Sequence, residues 1–206
     1  MTISHPTTPL VAILRGLQPA EATAVAQVLY DAGFRALEVP LNRPGALACI
    51  AAIVALNLPD TLVGGGTMLS VAHVEAVYEA GGRLMVSPNC NPAAIRRAAE
   101  LGMYIAPGVA TPTEAFAALD AGAHALKLFP AEMVGHGGLK AMLSVVPAGT
   151  PMWPVGGVTP DTMAGWKKAG ATGFGIGGAL FTPGVSLEEL GARAAAFVDA
   201  WRALAA

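Results

Sequence analysis

A (β/α)8 TIM barrel, one domain over residues 1–206, is the fold this sequence predicts. Short apolar, β-rich segments alternate with Ala-rich helical stretches from end to end, at intervals of roughly 20–28 residues. The segments are apolar almost throughout, as in a parallel sheet covered on both faces. The rival doubly wound fold needs GxGxxG after its first strand, and that motif is absent.

Strands are expected at residues 10–14, 36–40, 61–65, 83–87, 104–107, 125–129, 152–155 and 173–176. Helix starts are marked by Pro19-Ala20-Glu21, Ser70, Asn91-Pro92, Thr111-Pro112-Thr113-Glu114 and Thr159-Pro160-Asp161. Glycine closes helices at Ala32-Gly33, Ala80-Gly81, Leu101-Gly102, Ala121-Gly122 and Ala169-Gly170, each just ahead of the next strand. Residues 187–204 set Leu190, Ala194, Phe197, Val198 and Trp201 on one stripe, which reads as a closing helix packed on the barrel.

Composition narrows the function. Hydrophobic residues make up 54% and charged residues 13%, enough for a large core and too apolar for disorder. A net charge of −2 with no Lys/Arg cluster argues against nucleic acid or an anionic membrane as partner. Residues 1–6 lack the basic and apolar pattern of a secretory signal, and every apolar run breaks before 18 residues, so a soluble cytoplasmic protein is expected. Cys49 and Cys90 read as small buried hydrophobes; His5, His73, His124 and His136 have no ligand spacing, and no metal is expected.

Lys127 is a lone cation in the apolar run Ala125-Leu126-Lys127-Leu128-Phe129-Pro130. Burial disfavours the ammonium form, and a neutral amine can form a Schiff base with a carbonyl substrate. The plainer alternatives are a snorkelling lysine or a structural pair with a buried acid. Glu38, inside Ala36-Leu37-Glu38-Val39-Pro40, could be that acid or a proton shuttle acting through a water.

In a barrel, the C-terminal strand ends carry function. Those positions here hold Arg15, Glu38, Gly66-Thr67, Pro88-Asn89, Pro107-Gly108, Lys127, Gly156-Gly157 and Gly177-Gly178. The two Gly-Gly pairs follow the seventh and eighth strands, where backbone N–H groups often bind phosphate. Arg15 could hold a phosphate or carboxylate, and the Thr67 hydroxyl could bond a carboxylate or carbonyl oxygen. Glu132 and His136 are expected in the loop after Lys127, as solvated surface or lid residues.

The segments Val11-Ala12-Ile13-Leu14-Arg15-Gly16, Glu38-Val39-Pro40-Leu41-Asn42, Gly64-Gly65-Gly66-Thr67, Ser87-Pro88-Asn89, Pro107-Gly108, Lys127-Leu128-Phe129-Pro130 and Gly156-Gly157-Val158 resemble the keto-deoxy-phosphogluconate/phosphogalactonate aldolase family. The resemblance spans residues 9–202 and implies a metal-free, cofactor-free class I aldolase, usually a homotrimer. It makes Lys127 the Schiff-base lysine and Glu38 the general acid/base. It puts Arg15, Thr67 and Pro88 at the pyruvate end, and Gly156, Gly157, Gly177 and Gly178 at the phosphate end. Asn42 and Val155 stand where the phosphogluconate branch carries arginine and threonine, which points to the phosphogalactonate branch and its C4 epimer. Gly178 replaces a serine common in the family, removing one hydroxyl from the phosphate end. The expected reaction releases pyruvate and glyceraldehyde 3-phosphate. The rival readings are the gluconate epimer, a metal-dependent aldol cleavage, and a sugar-phosphate-binding barrel without turnover.

Overall fold

The computed structural model describes residues 6–204; the segment expected to lack a secretory signal, with His5, lies outside the described residues except for Pro6. In chain order the elements are β1 Leu10–Ile13, α1 Ala22–Ala32, β2 Ala36–Pro40, α2 Ala46–Ala55, β3 Leu62–Gly66, α3 Val71–Glu79 and β4 Leu84–Val86. There follow α4 Pro92–Glu100, β5 Tyr104–Ala106, β6 Gly108–Val109, α5 Pro112–Asp120, β7 Leu126–Leu128, α6 Ala131–Leu143, β8 Met152–Pro154, α7 Pro160–Ala169, β9 Phe174–Ile176 and α8 Leu187–Ala203.

All strand pairs are parallel, in a curled arrangement of two sheets ordered β5-β4-β3-β2-β1-β9 and β6-β7-β8. The single strand expected at 104–107 is divided at Pro107, which has no N–H to give a ladder. Across that break, Ala125 N–H donates to the Ile105 carbonyl at 3.1 Å and Lys127 N–H to the Pro107 carbonyl at 2.9 Å. At the other edge, Thr172 N–H donates to the Met152 carbonyl at 3.1 Å and Val155 bridges Gly175.

Side-chain parity explains why the strands are apolar throughout. Leu10 and Ala12, Leu37 and Val39, and Leu126 and Leu128 face the helices. Val11, Ala36, Leu84, Val86, Tyr104, Ala106, Ala125 and Trp153 face one another inside the curl. A two-residue period then sends Glu38 inward with Ala36 and Lys127 inward with Ala125. Each fully buried leucine or phenylalanine of the outer layer contributes about 1.5–3 kcal/mol.

Helix ends follow local rules. Thr111 and Glu114 form a reciprocal capping box, and the side chains of Ser70 and Asn91 accept from the first turns of α3 and α4. Gly33, Gly81, Gly102, Gly122 and Gly170 all have positive φ, between 67° and 111°. At Gly122 the exit is closed by Gly122 N–H to the Leu119 carbonyl and Ala123 N–H to the Ala118 carbonyl, both 3.0 Å. Two helices depart from expectation. Chain turns occupy residues 18–21, so α1 starts at Ala22. Glu132 and His136 lie on α6 rather than in a loop; its helical path breaks only at Gly135, with φ 68° and ψ 173°.

On α8, Leu190, Ala194, Phe197 and Val198 are buried, and Trp201 is half-buried with its ring edge-on to Phe174, as the stripe predicts. Cys49 is buried, whereas Cys90 is only half-buried. Among the described residues no helix is long and apolar enough to cross a membrane.

Candidate active site

Glu38 is 1% exposed and Lys127 7%, so both charges are withdrawn from water. None of the ion pairs among the described residues joins them, and Glu38 Oε2 has no hydrogen-bond partner. Instead they share a small internal cavity of about 10 Å³ with Val11, Ile13, Val86, Ala106, Trp153, Val155 and Gly175. That is the room one water needs.

Burial sets the electrostatics of both groups. It pushes the Glu38 carboxyl up to about 7, against the downward pull of Lys127 and Arg15. It pulls the Lys127 amine below the ordinary lysine range; Glu38 opposes that shift and Arg15 adds to it. The amine also lies 4.9 Å from the centre of the Phe129 ring. An amine shifted towards its neutral form and a carboxyl shifted towards its protonated form, around one water, suit nucleophilic attack followed by proton transfer.

A wider cleft of about 480 Å³ opens beside this chamber, with Ile13, Val155 and Gly175 bordering both. Arg15, Gly156, Gly157, Gly177 and Gly178 line it. Gly156 and Gly157 take positive φ values of 117° and 62°, a backbone path that favours glycine. The amides of Gly157, Val158, Gly178 and Ala179 donate to no carbonyl or side chain among the described residues. Such free donors, with exposed Arg15 at the rim, are able to hydrogen-bond an anion. The Glu132 side chain packs closely on this loop: a β-carbon added at Gly156 or Gly157 would collide with it.

The structure thus gathers Lys127, Glu38, Arg15, Val155, Gly156, Gly157, Gly177 and Gly178 around two adjoining cavities that share Ile13, Val155 and Gly175 as walls. Thr67, Pro88 and Asn42 follow β3, β4 and β2 but do not border either cavity. Thr67 has φ 55°, a left-handed backbone conformation rare for a β-branched residue. Pro88 abuts Gly108, where an added β-carbon would overlap the Pro88 carbonyl. Asn42 is exposed on the turn after β2. Trp153 and Ile13 line the inner chamber although nothing in their types suggested it; the inward parity of Trp153 with Val155 was the available signal.

Comparison with known proteins agrees with this geometry. A family model described as KDPG and KHG aldolase matches residues 4–194. The chain is 46% identical over 194 residues to 2-dehydro-3-deoxy-6-phosphogalactonate aldolase of Escherichia coli strain K12, covering 94% of this chain and 95% of that one. A solved native KDPGal structure superposes with a TM-score of 0.94 at 45% identity, covering 97% of each chain. A porous protein cage designed by fusing symmetric oligomeric domains also superposes with a TM-score of 0.94 at 45% identity; the match covers 97% of this chain and 74% of that one. The chain belongs to the KDPG and KHG aldolase family.

Proposed function

We propose that the protein is a class I aldolase that reversibly cleaves 2-dehydro-3-deoxy-6-phospho-D-galactonate to pyruvate and D-glyceraldehyde 3-phosphate. The observation that carries this reading is the buried Lys127 and Glu38, joined by no ion pair, around a one-water chamber that shares walls with a cleft of free amides. The similarity to the E. coli galactonate enzyme supports the choice of substrate.

In the cleavage direction, the neutral Lys127 amine adds to the C2 ketone, and loss of water with uptake of one solvent proton gives a protonated imine. Glu38, through a water, takes the C4 hydroxyl proton; the C3–C4 electron pair flows into the imine and glyceraldehyde 3-phosphate departs. The resulting enamine is protonated at C3, and hydrolysis of the imine frees pyruvate and Lys127. Arg15, Thr67 and Pro88 are assigned to the carboxylate and keto end. Gly156, Gly157, Gly177 and Gly178 are assigned to the phosphate, where backbone amides replace a serine hydroxyl. Asn42 and Val155 are assigned to discrimination at C4. The protonated imine formed on Lys127 is the electron sink, so this route uses no separate cofactor.

We read the two sheets as one closed (β/α)8 barrel forming a single domain, a reading supported by the hydrogen bonds at both sheet edges. We also propose a cytoplasmic homotrimer. Two free thiols suit a reducing compartment. Exposed Leu69, Val71 and Phe116 around α3 and α5 provide apolar surface for association.

Borohydride reduction with pyruvate tests the reaction: one reduced pyruvate adduct is expected on Lys127 and none in Lys127→Met. A protein without the adduct, or a Lys127→Met variant with full activity, would rule out the covalent route. Product analysis with both C4 epimers tests the substrate, and light scattering tests the trimer.

A further inference from the structure

Trp153 is 3% exposed and is the register partner of Lys127 on the neighbouring strand. Its indole borders the chamber that holds Lys127 and Glu38. On its other side lies a recess of about 300 Å³ at the opposite end of the sheet, bordered by Pro6, Thr7, Pro9, Pro151 and Thr172. Those residues precede β1, β8 and β9, so the recess opens at the N-terminal strand ends, away from the amide-lined cleft. Of all the residues bordering the chamber, Trp153 alone also borders the recess.

Neighbours fix the indole in that place. It stacks on Tyr104 at 5.8 Å between ring centres with 6° between planes, and Tyr104 stacks on His124 at 5.0 Å. Gly173 leaves room for it: a β-carbon there would lie 2.8 Å from Trp153 Nε1. This small-against-large pairing fills the lower layer of the curled sheet.

We propose that Trp153 is a plug that seals the Lys127–Glu38 chamber from solvent at the N-terminal face, a positioning residue that keeps bulk water from the amine. The inference rests on the aldolase reading for its purpose, though the seal itself is a property of the packing. The charged groups acting on Lys127 are Glu38 on β2 and Arg15 after β1, while Tyr104 and His124 continue the stack beyond the indole. Removing the indole would connect chamber and recess. Water entering there favours the charged forms, so amine protonation moves back towards the ordinary lysine range.

The test is competitive acetylation of Lys127 across a pH series, read by mass spectrometry, in the wild type and in Trp153→Phe, Trp153→Leu and Trp153→Ala. The midpoint of amine reactivity is expected to rise by about one pH unit or more in the Ala variant, less in Leu, and least in Phe, whose ring still blocks the passage. Thermal unfolding identifies folded variants, and Leu carries the comparison if Ala does not fold. Midpoints equal to wild type in the folded Leu and Ala variants would overturn the plug, as would a Phe shift as large as that of Ala. Pyruvate trapping in the wild type is scored separately: its absence would sink the aldolase reading and leave the acetylation result standing.

Discussion

Gly66 ends β3 directly against the carboxylate of Glu38, so closely that a β-carbon on Gly66 would overlap Glu38 Oε2. The glycine is what lets a carboxyl group turn inward at this height. Gly66→Ala must displace that carboxyl, because backbone on an adjacent strand yields less readily than a side chain. We expect kcat to fall about 10- to 100-fold as the carboxyl leaves its proton-transfer position. Overpacking should cost about 1–3 kcal/mol in denaturant unfolding, while pyruvate trapping on Lys127 persists.

Glu38→Gln separates catalysis from stability. The amide cannot accept the C4 hydroxyl proton, so kcat should fall about 10²- to 10⁴-fold with adduct formation retained. The folded carboxyl titrates at about 7 against 4.5 as a free group, so the folded state binds the extra proton between those values. Wild-type stability from this group is therefore full below pH 4.5 and is lost as pH rises through 7. Glu38→Gln escapes that loss and should be the more stable protein at pH 8 by up to about 3 kcal/mol, with the gain shrinking towards pH 4.5. Urea midpoints at the two pH values measure the difference.

Arg15 lowers both the Glu38 and the Lys127 titration by proximity. Arg15→Gln should raise both, moving the acid limb of the kcat/KM profile to higher pH. Loss of the cation at the cleft rim should also raise KM for the phosphorylated substrate. A profile with an unmoved acid limb would show that Arg15 is too well solvated to act on the chamber.

Val155 borders both the chamber that holds Lys127 and Glu38 and the glycine-lined cleft. Val155→Thr adds a hydroxyl donor there. We expect the galactonate-to-gluconate ratio of kcat/KM to fall by about tenfold. Kinetics with the two pure C4 epimers give the answer, and an unchanged ratio would remove Val155 from epimer selection.

Much of this protein is readable before folding, where one residue type has a single physical use. A lysine and a glutamate in apolar strands announced the chamber, and helix-closing glycines placed five strand entries. What escaped depends on contacts distant in sequence. Glu132 and His136 were expected in a loop; Gly135, Gly137 and Gly138 are poor helix formers, and packing against β7 and α7 holds the broken helix α6 there. Pro107 looked like a strand end, although its carbonyl continues the ladder to Lys127 while its missing N–H divides the strand. Nothing about Trp153 distinguishes it from an ordinary core aromatic; only the two cavities on either side do. Thr67, Pro88 and Asn42 were assigned by resemblance, and none of the three borders either cavity.

The five left-handed glycines that end helices all stand ahead of strands, at the face opposite the proposed chemistry. Alterations there tax abundance: a strained exit lowers the folded fraction and exposes chain to proteases, with turnover per surviving molecule unchanged. The catalytic rim carries the reverse bargain, since an inward carboxylate taxes folding at alkaline pH to serve the reaction. Natural variation can therefore retune the substrate at one pole while durability is repaired, residue by residue, at the other.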